Sequence, residues 1–298
     1  MNISSLRITS LLNSLVTRNR NLIQTIGFAS FTAAALLTVF PIVLIVGFVL
    51  WNGAEAISLE FITQMPRDGM RAGGILPAII GTIWLTIGTG IIAVPLGIGA
   101  AIYLVEYAEE NRWTRIIRIA IINLAGIPSV VYGLFGLGLF VLLLQFGTSI
   151  AAGSLTLALM TLPVIITTTE EALRSVPNSF RVVSISLGGT KWQTIRRIVL
   201  PQALPGILTG VILGLERAAG ETAPILFTAA AFFLPQLPSS MFDSTMALPY
   251  HLFVISTQVP GMPVKIQYGT AIVLLTFVLG MNIIATLIRS RARAKRQW

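Results

Sequence analysis

The sequence predicts an all-α membrane protein with six transmembrane helices and both termini cytoplasmic. Three observations carry that prediction. Of 298 residues, 55% are hydrophobic and 10% charged, against about 25% charged in soluble domains. The apolar residues gather into uncharged runs at 21–54, 72–105, 119–169, 198–215, 222–242 and 266–288. The twenty Lys and Arg residues are unevenly divided between alternate connections, which is how a chain records its topology in a bilayer.

A spanning helix needs roughly 20 apolar residues, because about 30 Å of hydrocarbon is crossed at about 1.5 Å per residue. The spans therefore fall at about 27–50, 76–105, 118–145, 152–168, 204–230 and 268–288, within a single transmembrane domain covering 1–298. The run 119–169 is too long for one helix. Gln145, Gly147, Thr148, Ser149 and Gly153 cluster in its middle and predict a tight turn. The stretch 198–242 is interrupted by Glu216, Arg217 and Glu221 alone, so it reads as one helix with charge inside the membrane. Ahead of the first span, Leu11, Leu12, Leu15 and Val16 form a weakly amphipathic segment suited to the membrane surface. The run that follows is too long for a signal-peptide core, so the first helix is expected to be retained. Pro41, Pro95, Pro128, Pro163 and Pro224 are expected to kink their helices.

Sixteen Lys and Arg residues lie at the two termini and in the second and fourth connections; Arg67, Arg71 and Lys265 alone lie in the others. That asymmetry puts both termini in the cytoplasm. The net charge of +9 is thus a topology signal and calls for no nucleic acid. Zero cysteines exclude a disulfide scaffold, thiolate metal sites and cysteine nucleophiles. His251 is the single histidine, which excludes sites needing two imidazoles. No G-x-x-x-x-G-K-[ST] phosphate loop or G-x-S-x-G elbow is present. The chain is expected to be no enzyme, with no catalytic or metal-ligating residues and no cofactor of its own. His251 reads as an interfacial residue of the long connection 232–267. Phe233, Leu234, Met241 and Phe242 of that connection are expected on the membrane or at an outer gate.

The connection 170–201 is the most informative. Asn178 and Ser179 follow Pro177 as a helix start, with Phe180, Val183 and Leu187 on one face. Gly188-Gly189 ends that helix, and Thr190 with Gln193 forms a capping box for the next. The second helix carries Lys191, Trp192, Arg196 and Arg197 and is expected to stop at Pro201. Gly188, nine residues, then Ile198-x-Leu200-Pro201 resembles the E-A-A-x3-G-x9-I-x-L-P loop of ABC importer permeases, which contacts the ATPase subunit. The chain has Val182-Val183-Ser184 where that family writes Glu-Ala-Ala. The segments AGIPSVVYGLFGLGLFV (125–141), RAGGILPAIIGTIWLT (71–86), TTTEEALRSVP (167–177), ERAAGETAPILFTA (216–229) and LPYHLF (248–253) resemble phosphate-specific permeases of the PstA type.

That resemblance implies the type I ABC importer permease fold in a bacterial inner membrane. It implies pairing with a PstC-type permease, a PstB-type ATPase dimer that carries ATP and Mg, and a PstS-type phosphate-binding protein. It gives the loop residues Phe180, Arg181, Val183, Leu187, Gly188, Gly189, Thr190, Lys191 and Trp192 a role in ATPase coupling. Beside it stand a permease for another oxyanion and an autonomous secondary transporter or channel. Arg217, Glu221 and Glu216 are the candidate pathway residues. Arg217 and Glu221 are four apart, on one helix face, and a guanidinium fork matches phosphate oxygens. The same spacing also suits a pair that holds helices together.

Overall fold

The computed structural model describes the backbone of residues 3–294 and the side chains of residues 24–291. The chain divides into two compact units, residues 1–52 and 53–298. The described residues of the first lie in one helix, α1 (Ile3–Gly53), with Pro41 inside it. From Gln24 to Ala56 the chain is apolar and long enough to cross a bilayer. The side chains of Leu11, Leu12, Leu15 and Val16 lie outside the described residues.

The second unit opens with a short helix, α2 (Leu59–Thr63), whose Ser58 cap accepts the Phe61 N–H. A two-residue antiparallel hairpin follows: β1 (Pro66–Arg67) and β2 (Ala72–Gly73), with Pro66 opposite Gly73. Then comes α3 (Leu76–Ile102), prolonged as a π-helical turn through Tyr107. Its buried face is built from small residues, including Ala78, Gly81, Gly88, Ala93 and Gly97. A Cβ at Gly97 would fall 2.6 Å from the Ile165 side chain. The helices therefore meet at backbone distance, as small residues permit.

The third expected span, 118–145, is not one helix. Helix α4 (Arg112–Ala125) and helix α5 (Ser129–Gly136), the latter prolonged in π form through Leu143, meet at 103°. Pro128 removes a donor and biases Ile127 away from helical geometry. Across the elbow, the Tyr132 hydroxyl donates to the Leu124 carbonyl at 2.9 Å. Five helices among the described residues are long and apolar enough to cross a membrane, and the bent pair gives a sixth crossing if counted as one.

The turn expected near 145–153 is present, with positive φ at Gln145 and Gly147. Gly153 lies beyond it, inside α6 (Ile150–Arg174), which is longer than the expected 152–168. Helix starts leave free N–H groups, and here each finds an acceptor. Ser149, Ile150 and Ala151 donate to the carbonyls of Thr228, Asp243 and Met241 at 2.9, 2.9 and 2.8 Å. Ala152 donates to Ser149 Oγ at 3.2 Å. Helix α6 is the buried centre of the unit and packs against α3 and the fifth span.

After α6 the chain forms α7 (Asn178–Ser186), turns at Gly188, and restarts as α8 (Lys191–Thr194). Pro201 does not stop this helix. A π-helical stretch, Ile195–Val199, leads straight into α9 (Leu200–Gly220), giving one helical run from Lys191 to Gly220. Leu200 donates to Ile195, five residues back. The wider π register leaves room for the proline ring one residue later, so the helix continues through it.

The fifth span also ends earlier than the expected 204–230. In a continuous helix the Pro224 ring would clash with the Gly220 carbonyl. The chain instead straightens at Glu221 (φ −76°, ψ 136°) and resumes as α10 (Ala223–Thr228). The following connection folds back, bridging Ala230 to Thr245, and seats Phe242 edge-on against Phe146 at 5.7 Å. It leads to α11 (Leu248–Thr257) and then α12 (Val264–Ala294). His251 is not an interfacial loop residue: it sits on α11 and is 2% exposed. The sequence showed that His251 falls in a long connection, not the helices that close over it.

Candidate functional site

Two groups of side chains stand out, at different parts of the second unit. The first is the break between α9 and α10. Arg217 lies in the last turn of α9, where the helix dipole favours a cation, and Glu221 is the residue that ends it. Arg217 Nε lies 3.4 Å from Glu221 Oε1, with the side chains 39% and 18% exposed. The pair forms although Glu221 has left the helix. Among the described residues this long contact is the guanidinium's sole hydrogen bond or ion pair, and Tyr132 also lies within its electrostatic reach. Both terminal amino groups of Arg217 therefore keep donors for another partner. Glu221 also borders a small cavity between α3, α6, α9 and α11, lined by Thr82, Thr86, Ala218, Ala247 and Pro249. Glu216 points elsewhere: its Oε2 accepts from Asn282 of α12 at 3.2 Å, while its Oε1 is buried without a partner.

The second group is the knob formed by α7, Gly188 and α8. Gly188 has φ +84° and Gly189 packs under the Ser184 carbonyl, where a Cβ would fall 2.8 Å away. The capping box is complete: Gln193 N–H donates to Thr190 Oγ1, and Thr190 N–H to Gln193 Oε1. The hydroxyls of Ser184 and Thr194 join the two helices at 2.7 Å. Phe180, Val183 and Leu187 line a groove of about 440 Å³ together with Gln193, Arg197 and Ile198. Leu187 is 83% exposed, and Val183 and Trp192 are also exposed. A surface of this kind is apolar at its centre with polar groups at the edge, the usual anatomy of a protein contact. Lys191 is turned back over the Tyr107 ring at 5.0 Å. Arg181 is turned inward as well, onto Glu106.

A family model described as a binding-protein-dependent transport system inner membrane component matches residues 93–294. The chain belongs to that family. Relatives of this inner membrane component include the probable ABC transporter permease protein YqgI of Bacillus subtilis, 32% identical, covering 90% of this chain and 95% of the relative. The phosphate transport system permease protein PstA of Mycobacterium leprae is 36% identical, over 87% of this chain and 86% of its own length. Among solved structures, a bacterial ABC transporter involved in alginate import aligns over 91% of this chain and 99% of that one. Its TM-score is 0.65 at 14% identity. The MetNI methionine transporter, inward facing, aligns over 72% and 94%, with a TM-score of 0.59 at 16% identity. At such identities the likeness is one of fold: this inner membrane component has the type I ABC importer permease fold. A component of this type works with a partner permease, an ATPase and a substrate-binding protein, and ATP hydrolysis belongs to the separate subunit.

Arg217, Glu221 and the knob were candidates from the sequence alone; Glu106, which anchors the knob, and the separate contacts of Arg118 were not. Arg181 pairs with Glu106 at 2.7 Å, across 75 residues. Arg118 lies 3.4 Å from Glu170 and donates to the Leu104 carbonyl at 2.7 Å. The available signal was the position of Glu106 and Glu170, each one residue beyond the end of an uncharged run.

Proposed function

We propose that this chain is the membrane-spanning subunit of an ATP-driven inorganic phosphate importer. It lines half of a pathway completed by a PstC-type permease, and its 170–201 connection docks a PstB-type ATPase that binds ATP and Mg. A PstS-type protein delivers phosphate at the opposite face, with both termini of this chain on the ATPase side. The names of the relatives support the substrate, and the state of Arg217 carries the reading. A guanidinium with both terminal amino groups unclaimed presents a planar pair of donors matched to two phosphate oxygens. Glu221 competes for the same cation, which keeps the anion's hold weak enough for release. Hydrogen phosphate also has a proton that a carboxylate accepts, and sulfate lacks one.

The test is uptake by the reconstituted four-component assembly, with phosphate, sulfate and molybdate in competition. Phosphate is expected to win, and preferential uptake of sulfate would assign the chain to another oxyanion. Arg217→Lys keeps the charge without the planar fork and is expected to lower uptake while the assembly stays intact. If Arg217 merely neutralises Glu221, Arg217→Gln with Glu221→Gln restores what Arg217→Gln alone loses, since a neutral pair avoids an unpaired charge. Full rescue would sink substrate contact by Arg217.

A further inference from the structure

Arg181 stands in contrast to Arg217. Its Nε and Nη2 donate to Glu106 Oε1 at 3.1 and 2.7 Å, Nη2 also to the Leu173 carbonyl at 2.9 Å, and Nη1 to the Val176 carbonyl at 2.8 Å. Its side chain is 17% exposed and that of Glu106 is 7%. The arginine thus ties three elements together: α7 of the knob, the C-terminal end of α6, and the π-helical end of α3. A guanidinium this fully used has little capacity left for a partner protein.

The two helices that meet the knob lead to the same place. Helix α9 continues from α8 without interruption and carries Arg217 at its far end. Helix α3 reaches the cavity beside Glu221 through Thr82 and Thr86. There Thr82 Oγ1 accepts the Leu248 N–H of α11 at 2.8 Å, and Gly81 packs under the Met246 carbonyl. The knob is joined to α9 covalently, but its hold on α3 is non-covalent: the buried Arg181–Glu106 pair is its strongest link, with Lys191 lying over the Tyr107 ring as a second, exposed one.

We infer that Arg181 is a positioning residue that yokes the docking knob to α3, so that a displacement of the knob reaches two walls of the cavity beside Glu221, α3 and α9. This rests on the reading of residues 170–201 as the ATPase-docking connection. Without the yoke, α9 follows the knob and α3 lags, and ATP hydrolysis runs with little transport. Arg118 offers a control, because it fixes the same π-helical segment to α6 through Leu104 and Glu170 without touching the knob.

The experiment uses the complete assembly in liposomes and reads phosphate imported per ATP hydrolysed, together with ATPase co-purification. Arg181→Lys keeps a cation beside Glu106 but cannot also hold the carbonyls of both Leu173 and Val176. Glu106→Gln keeps an acceptor without the charge and perturbs folding least. Each is expected to lower the ratio by about tenfold, the scale of lost charge-assisted hydrogen bonds, with the ATPase bound and still active. Arg118→Gln is expected to leave the ratio unchanged. The inference fails if the ratio holds in both Arg181→Lys and Glu106→Gln, or if Arg118→Gln lowers it equally. Loss of ATPase binding in both variants would also overturn it, by making Arg181 part of docking. A failure of the underlying reading looks different: the unaltered chain then retains no ATPase, or the unaltered assembly imports no phosphate.

Discussion

The turn at Gly188 gives the most direct test of the knob. Its φ of +84° is a region that L side chains rarely adopt, and no atom lies within 4 Å of a Cβ placed there. A substitution therefore acts through backbone strain alone and not through crowding. Forcing an ordinary residue into a left-handed conformation costs roughly 1–2 kcal/mol, and Asn is tolerated better than most. A β-branched residue is the least suited of all. One to two kcal/mol lowers the ratio of the native turn to its alternatives by a factor of about 5–30, and the population of a turn that starts near parity with an alternative falls roughly 3–15-fold. The apparent affinity for a partner that reads the turn falls by the same factor. The expected order of ATPase affinity is Gly188, then Gly188→Asn, Gly188→Ala and Gly188→Val. Titration of purified ATPase onto the detergent-solubilised permease measures it, with circular dichroism confirming that the helices remain. Equal affinity for Gly188→Val and the unaltered chain would refute the reasoning, as would Asn proving as harmful as Val.

Gly210→Ala drives a methyl group into the Thr168 side chain of α6 and should cost roughly 1–3 kcal/mol as overpacking. Gly99→Ala, with nothing within 4 Å, should be neutral or slightly stabilising; melting in detergent compares the two. Thr82→Val leaves the buried Leu248 N–H without its acceptor and should lower stability by about 1–3 kcal/mol, while Thr82→Ser should not. Burial holds His251 neutral, its pKa lowered from 6.5 to about 4. Its contribution is therefore present above pH 6.5 and lost as pH falls toward 4, on the order of 3 kcal/mol in all. His251→Gln should flatten melting temperature against pH across that window, and an unchanged slope would show that other groups set it.

Apolar run length located the long helices, because the thickness of hydrocarbon sets a length that any sequence must meet. It could not locate their breaks. Ile127-Pro128 bends one span by 103°, whereas Pro41 and Pro163 sit inside helices that continue. A proline marks a missing donor, and the neighbours decide whether the chain turns there. Pro201 was misread for the same reason: the π register ahead of it relieves a clash that spacing alone predicts. Of the site, Arg217 and Glu221 were legible as charges amid apolar residues, and the knob through its glycine and capping box. The inward direction of Arg181 was not, since its partner Glu106 lies 75 residues away and is brought to it by tertiary packing.

The start of α6 has a mechanical consequence. Its first N–H groups are held by the carbonyls of Thr228, Met241 and Asp243, and Ala231 and Thr245 are joined by a further backbone bond at 2.9 Å. Pulling residues 228–245 away from α6 would strand several buried donors at once, at about 1–3 kcal/mol each. That stretch and α6 therefore travel as one rigid piece. The seam that can open lies on the other side of the cavity, between α3 and α11, where the Thr82 hydroxyl makes one bond to the Leu248 N–H. Parting there gives up that bond and the apolar packing of the cluster that holds Ala78, Leu85, Met246 and Leu248, but strands fewer buried donors than parting at α6.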